Sequence, residues 1–447
     1  MNCIFCCVFN QEKYLDMFFL FLESIIIYGE LDNTILVYTS TSFMNKIKQS
    51  HLFNDNIVFE INDTYDNIDK SCKARLDLFN FDLSKYEKIL YLDTDILVKG
   101  NINKVFDVCT EDFLYVLEEG VIDGAEYWGK SLFGDEINNY EDKTAFTSGI
   151  LLFNNCEKIK NLFEEINKDI ETRYHSFYDQ PFIVYNAFKY NLHNNKVLKS
   201  LVVNNDDNIH SDKVVHHFPG GPGCYHKKLV LMENFLTNLK NFFIEENINK
   251  AKQYIDEYLL PIINNCGEKL EGNIFMLHHT TEYTDVFLNK AKNISNLVLN
   301  KNVKNVMEIG FNAGFSALLM LLSSPSISLN CFDLGEHKYT MPCFQKLKET
   351  FGDRINITLG DSRETLQNEN GLYDLIHIDG GHSTDVAESD IINSYRLSKQ
   401  GTLLIMDDYD FHNLHHLWDN YIVKFNLKTP EMILFHSPHH DIKYVEV

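Results

Sequence analysis

At 447 residues the chain exceeds one ordinary hydrophobic core, so two domains are the starting expectation and three are admissible. Hydrophobic residues make up 45% and charged residues 23%, the balance of a soluble globular protein rather than a fibrous or disordered one. A formal net charge of -24 with no Lys/Arg stripe argues against binding a nucleic-acid backbone, while nucleotides stay open because a divalent ion can bridge carboxylates to phosphates.

The first run, "CIFCCVF", reads as a buried strand, and its C-x-x-C (Cys3 to Cys6) reads as core thiols rather than a metal or redox pair. The 10 cysteines form no regular framework, which suits a reducing compartment. No basic segment precedes the first apolar run, so no secretory leader is expected. "MFFLFLESIIIYG" is the most apolar segment, but Glu23 and Ser24 break it well short of the ~18 residues a membrane span needs, so it predicts a core helix. "TILVYT" and "NIVFEI" follow as strands, and the alternation predicts a mostly parallel α/β sheet.

The stretch "KILYLDTDILVKG" then sets two carboxylates, Asp93 and Asp95, between two apolar runs. Side chains two apart on a strand share a face, and at a strand end both can meet one hard cation. A solvated pair at a strand end is the other reading of that spacing. A Gly/Pro-dense turn, His216 to Lys228, closes the first half. The boundary is expected between Lys228 and Asn247, giving domains 1–235 and 236–447, the second with a helical lead-in over about 236–300.

In the second half "NVMEIG", "ISLNCFD", "INITLGD", "YDLIHID" and "GTLLIMDD" predict five strands, each ending near an acid or a glycine. Ligands bind outside the carboxyl ends of strands in such sheets. Glu308-x-Gly310-x-x-x-Gly314 lets backbone approach a ligand at a helix N-terminus. Asp333 ends the next strand, where an acid can accept from ribose hydroxyls, and Asp361 with Ser362 ends the third. Asp379, Asp407 and Asp408 fall at neighbouring strand ends, and three carboxylates there repel one another unless a cation joins them.

Two resemblances follow from these motifs. "VFNQEKY", "KARLDLF", "YLDTDILVKGNINKVF", "TSGILLFN", "YDQPF" and "VVHHFPG", in this order over residues 3 to 228, resemble glycosyltransferase family eight. The resemblance implies a GT-A-like mixed sheet. It implies that Asp93 and Asp95 hold Mn²⁺ or Mg²⁺ on a UDP-sugar, with His217 as third ligand and His216 as the neighbouring candidate. Val8, Asn10 and Tyr14 would contact uridine, Arg75 the donor sugar or phosphates, and Asp179 and Gln180 the region of the anomeric carbon. Two positions depart from the family: Thr147 stands where Asn is usual, and Gly223 where a lysine is usual, with Lys227 or Lys228 as substitutes.

Residues 270 to 425 resemble class I S-adenosylmethionine-dependent methyltransferases, a Rossmann-like fold, and "IHIDGGH" with "LIMDDY" resembles their metal-dependent, sugar-modifying O-methyltransferases. Glu308, Gly310, Phe311, Asn312 and Gly314 would then line methionine and ribose, Asp333 the ribose, and Asp361 and Ser362 the adenine. Asp379, Asp407 and Asp408 would hold Mg²⁺. His382 would be the base, a side chain whose reference pKa near ~6.5 suits proton transfer at neutral pH. The fusion resembles multidomain glycan-building enzymes of large DNA viruses, which implies a cytoplasmic enzyme, in the host cytoplasm if viral, with a glycan or glycoconjugate acceptor. Neither a nucleic-acid partner nor a membrane span is expected, and a homo-oligomer stays open.

Overall fold

A computed structural model describes residues 1–220, 224–300, 303–411, 414–429 and 441–447. It divides into two compact units, Met1–Leu239 and Lys240–Val447. The division falls within one long helix, Tyr225–Tyr254.

Among the described residues the first unit has ten strands: β1 (Asn2–Val8), β2 (Thr34–Thr39), β3 (Ile57–Ile61), β4 (Lys88–Leu92), β5 (Ile96–Val98), β6 (Leu114–Val121), β7 (Thr144–Asn154), β8 (His193–Asn194), β9 (Val202–Asn204) and β10 (Val215–His217). Seven form one sheet in the order β3-β2-β1-β4-β7-β6-β8. The sheet is mixed: β1, β2, β3 and β4 pair in parallel, whereas β7 runs antiparallel to both β4 and β6. Helix Glu12–Tyr28 buries Leu15, Phe18, Leu22 and Ile25, the three- and four-residue spacing of one helical face, in a core shared with β1 and β2. "MFFLFLESIIIYG" is thus a core helix, and among the described residues no helix is long and apolar enough to cross a membrane.

Chain direction breaks where the sequence suggested it. β4 ends at Leu92, Asp93 to Asp95 form a turn, and β5 joins a separate small sheet, β5-β10-β9. The segment His216 to Lys228 is less uniform than the single turn expected from its glycines. It begins in β10 and ends in the long helix, and Gly223 lies outside the described residues.

The second unit is a six-stranded sheet of β11 (Asn305–Ile309), β12 (Ser328–Asp333), β13 (Ile355–Leu359), β14 (Tyr373–Ile378), β15 (Ser398–Met406) and β16 (Lys443–Glu446), in the order β13-β12-β11-β14-β15-β16. The five expected strands are parallel, and β16 adds an antiparallel edge. The order reverses between β12 and β14 around β11, so the crevice beyond β11 is the place where such folds take ligands. The molecule therefore combines a mixed α/β sheet with a mostly parallel, Rossmann-like one. Cys3 and Cys6 are fully buried in the first core, as expected of structural thiols, and all 10 cysteines are free.

Two candidate active sites

In the first unit the ends of β1, β4 and β10 open on a cavity of about 250 Å³ lined by Cys7, Phe9, Tyr14, Arg75, Asp93, Asp95 and Lys228 among others. Ligand atoms of Asp93, Asp95 and His217 all lie within 4.8 Å of one another. Backbone bonds fix this meeting: Asp93 N–H donates to Gly149 O at 2.9 Å, and Phe218 N–H donates to Asp95 O at 2.9 Å. His217 Nδ1 faces Asn204 Oδ1 at 2.8 Å, which turns Nε2 toward Asp95 Oδ1, 3.4 Å away. His216, the neighbouring candidate, turns the other way. Its Nδ1 faces Asp206 O at 2.8 Å and its ring packs on Phe235.

Lys228 Nζ lies 2.5 Å from Asp95 Oδ2. Burial works to raise the Asp95 carboxyl, but Lys228, with His217 beside it, prevails and holds it below the usual carboxylate range. Asp95 Oδ1 is buried and, among the described residues, accepts no hydrogen bond. A hard divalent cation fits there: two carboxylates and one imidazole converge on an oxygen that lacks a donor. Gly149 leaves room for this, because a Cβ would come 2.8 Å from His217 Nε2 and 3.0 Å from Asp93 Oδ2.

Arg75 is clamped below the acids. Its Nε is 2.7 Å from Asp179 Oδ2, its Nη1 is 3.5 Å from Asp93 Oδ1, and it donates to Ser148 O. Burial raises the Asp179 carboxyl, which Arg75 only partly offsets. Gln180 Oε1 accepts from Ser148 N–H and Oγ–H, and its Nε2 donates to Tyr127 O at 3.1 Å. Thr147 is buried, and its Oγ1 accepts from Gly149 N–H at 3.3 Å. Val8 and Asn10 fall beside the cavity rather than among its lining residues. Strand alternation sends Cys7 and Phe9 to the cavity and Val8 to the core.

In the second unit a cavity of about 330 Å³ opens beyond β11 to β13, lined by Gly310, Asn312, Asp333, Asp361, Ser362 and Asp379 among others. Asp333 Oδ2 accepts from Asn312 N–H at 2.8 Å and Oδ1 from Gly335 N–H at 2.7 Å, so backbone aims its carboxylate. Arg363 beside Asp361 holds that carboxyl below the usual range. Phe311 and Gly314 lie behind the cavity wall: Phe311 is buried, and Gly314 caps helix Phe315–Ser323 at a φ of 77°. Glu308 is fully buried and takes Ser316 Oγ–H at 2.5 Å.

The expected acidic trio divides into two overlapping clusters. Asp379 meets Asp407 and His377 in one, and Asp408 and His382 in the other, the ligand atoms of each within 4.8 Å. His382 Nε2 is 3.2 Å from Asp408 Oδ2. Two residues that sequence reasoning passed over complete the arrangement. His377, in mid-strand, bridges Glu308 Oε1 at 3.3 Å and Asp407 Oδ2 at 3.0 Å. Burial opposes its charge, yet those two carboxylates push its pKa up to about 10. Lys290 Nζ reaches Asp407 Oδ1 at 2.5 Å and Asp408 Oδ1 at 3.2 Å. The available signal for Lys290 was a charge within the apolar stripe Phe287, Ala291, Ile294, Leu297; for His377 it was an imidazole inside "LIHI". The donor set of Asp379, Asp408 and His382 fits a hard divalent cation, with Asp407 behind it.

Comparison with known families agrees with this division. Residues 30–192 match the family model described as Glycosyl transferase family 8, and residues 307–409 match one described as Methyltransferase domain. The two matches fall in separate units of the chain. Asp93, Asp95, Asp179 and Gln180 fall inside the first match and every expected residue from Glu308 to Asp408 inside the second. Val8, Asn10, Tyr14, His217 and Lys290 fall outside both. No curated protein matches the chain significantly.

Among solved structures, the apo WbbM bifunctional glycosyltransferase is 16% identical over 53% of this chain and 51% of its own, with a TM-score of 0.38. The chain thus spans about half the length of that protein. The galactosyltransferase LgtC in complex with donor and acceptor sugar analogs is 15% identical over 52% of this chain and 95% of its own, with a TM-score of 0.38. The StiE O-MT is 24% identical over 28% of this chain and 46% of its own, with a TM-score of 0.25.

Proposed function

We propose that the chain builds and decorates a glycan: the first unit transfers a hexose from a UDP-sugar with retention, and the second methylates a sugar hydroxyl using S-adenosylmethionine. The observation that carries the first half is the buried Asp95 Oδ1 without a hydrogen bond, set between Asp93 and His217 at the cavity floor. A Mn²⁺ or Mg²⁺ ion held by Asp93, Asp95 and His217 would supply Lewis-acid neutralisation of the charge that develops on the leaving diphosphate. Lys228 lines the same cavity and is the second positive charge available to the phosphates, in place of the family's usual lysine. Arg75 ties Asp93 to Asp179, so the residues assigned to the diphosphate and to the anomeric carbon are held by one guanidinium. Gln180 is oriented by three hydrogen bonds next to them. Tyr14 lines the cavity and is assigned to the uridine, with Val8 and Asn10 beside it.

In the second unit Gly310, Asn312, Asp333, Asp361 and Ser362 form the donor pocket, and Asp379 lies at its border with the acidic cluster. S-adenosylmethionine would supply the methyl group, and a Mg²⁺ ion held by Asp379 and Asp408, with Asp407 behind them, would lower the proton affinity of the acceptor hydroxyl. His382 takes that proton. It stands on the open side of the cluster, which Asp407 does not.

UDP-sugars screened for hydrolysis, with Mn²⁺ and then with excess chelator, test the first assignment. Cleavage is expected only with the ion, and Asp95→Ala is expected to abolish it. Full cleavage in chelator overturns the metal site. Methyl transfer to a preformed acceptor is expected to survive Asp95→Ala, because the two sites lie in separate units. A second unit that binds S-adenosylmethionine but transfers no methyl group to any glycan tested would be a binding module instead.

A further inference from the structure

Lys290 sits on helix Leu288–Asn300, within the stripe of buried residues Phe287, Ala291, Ile294 and Leu297 that faces the core. A lysine in such a stripe costs free energy unless its ammonium finds partners. Its side chain is 5% exposed, and Nζ lies between two consecutive carboxylates, 2.5 Å from Asp407 Oδ1 and 3.2 Å from Asp408 Oδ1. Asp407, whose side chain is fully buried, has no oxygen left over. Oδ1 also accepts from Asp408 N–H at 2.6 Å, and Oδ2 faces His377 Nε2 at 3.0 Å. The pair expected to hold a divalent ion together is thus already held together by an ammonium.

We propose that Lys290 is the resident cation of this cluster, and that a divalent ion gains the seat between Asp407 and Asp408 only by displacing its ammonium. This rests on the methyltransferase reading of the second unit. Two cations cannot share one pair of carboxylate oxygens at contact distance without repulsion, so ion and ammonium compete. The contrast with the first site is one of place. Lys228 touches a single carboxylate, Asp95, and lines an open cavity where a diphosphate can draw it away. Lys290 is confined to its helix's buried face and has the acids as its partners. The acidic cluster therefore stays assembled without metal, and it takes up an ion less readily than the Asp93–Asp95–His217 site does.

Mn²⁺ binding by the full chain, read from the loss of the free-ion electron paramagnetic resonance signal, tests this without any activity assay. In wild type, one site is expected to fill first and a second at least about tenfold more weakly, since a competing buried charge must be displaced. Two sites of equal affinity would overturn the proposal. In an Asp95→Ala background, which silences the first site, Lys290→Met keeps an apolar stem and removes the charge. It is expected to tighten the remaining Mn²⁺ site by about tenfold or more, and Lys290→Arg is expected to leave it as weak as before. Unchanged or weaker binding in Lys290→Met would show that the lysine supports the ion rather than excluding it, which also overturns the proposal. If Lys290→Met does not fold, Mn²⁺ binding by the wild-type and Asp95→Ala chains decides: the tight site is expected to vanish in Asp95→Ala, and a site there as tight as the wild type's first would overturn the proposal. S-adenosylmethionine titration of the Asp95→Ala chain stands apart: failure to bind counts against the methyltransferase reading and leaves the Mn²⁺ result to judge Lys290.

Discussion

His382 and Asp390 show how differently two polar groups of one domain can act. His382 faces Asp408 at 3.2 Å on the open side of the cluster. If it takes the acceptor's proton, His382→Ala lowers methyl transfer by ~10²- to 10⁴-fold. S-adenosylmethionine binding persists, because Gly310, Asp333 and Asp361 are untouched. Methyl transfer at the wild-type rate would place the base elsewhere. Asp390 is fully buried in helix Thr384–Arg396, and burial pushes its carboxyl from 3.8 up to about 6. Its folded pKa lies above its unfolded one. The stability it contributes is therefore complete below pH 3.8 and is lost as pH rises to about 6, leaving a penalty at neutrality. Asp390→Asn is expected to stabilise the chain at pH 7 by about 2 to 3 kcal/mol and to lose that advantage near pH 4. Urea midpoints of both proteins at the two pH values measure it, and equal midpoints at pH 7 would show no penalty. At this scale the acids were legible in the sequence, since a carboxylate after an apolar run marks a strand end. Their cations were not: Lys290 and Asp408 are 118 residues apart, and Lys228 and Asp95 are 133 apart.

Two strand-associated glycines carry the sites for different reasons. In β7, Gly149 is extended and unstrained, but a Cβ would strike His217 and Asp93. Gly149→Ala is expected to fold, because the strand conformation suits alanine. Ion-dependent donor cleavage is expected to fall by about 10²-fold, the scale of a small misplacement of catalytic groups. Wild-type cleavage would mean that the imidazole and the carboxylate need not meet. After β11, Gly310 has φ +93° and a Cβ there would lie 1.9 Å from Asp379 O. Gly310→Ala combines backbone strain with a clash against backbone. It should cost more than about 1–3 kcal/mol and abolish S-adenosylmethionine binding, as calorimetry would show. The glycine turn and the five parallel strands were readable from periodicity and punctuation. β16 was not, because four residues of Lys443–Glu446 carry too little pattern until β15 supplies a partner. The antiparallel entry of β7 was equally silent, since an apolar run does not encode its direction.

At the scale of the molecule, two units of separate cores predict separable folding. The useful cut, however, lies later than residue 230. Met232, Phe235, Leu236 and Leu239 are buried, and Phe235 packs on His216 with ring centroids 4.6 Å apart. A 1–239 fragment is expected to be soluble and to melt cooperatively, a 1–230 fragment to melt lower, and 240–447 to stay soluble by itself. Insoluble 1–239 and 240–447 fragments beside a soluble whole chain would mean that the units share a core. The sequence by itself determined that there are two α/β units, where β1 to β4 and β11 to β15 end and which acids stand at those ends. These are local properties, written in the spacing of apolar residues and in glycine, and they need no knowledge of neighbours. Only the tertiary structure decided that His217 rather than His216 meets Asp95, that Lys228 and Lys290 lie against the acids, and that Asp407 is enclosed while Asp408 faces His382. The pairing of a buried charge depends on which strand ends become neighbours. Sheet order sets that, and sheet order follows from burying both faces of the whole sheet at once rather than from any one segment.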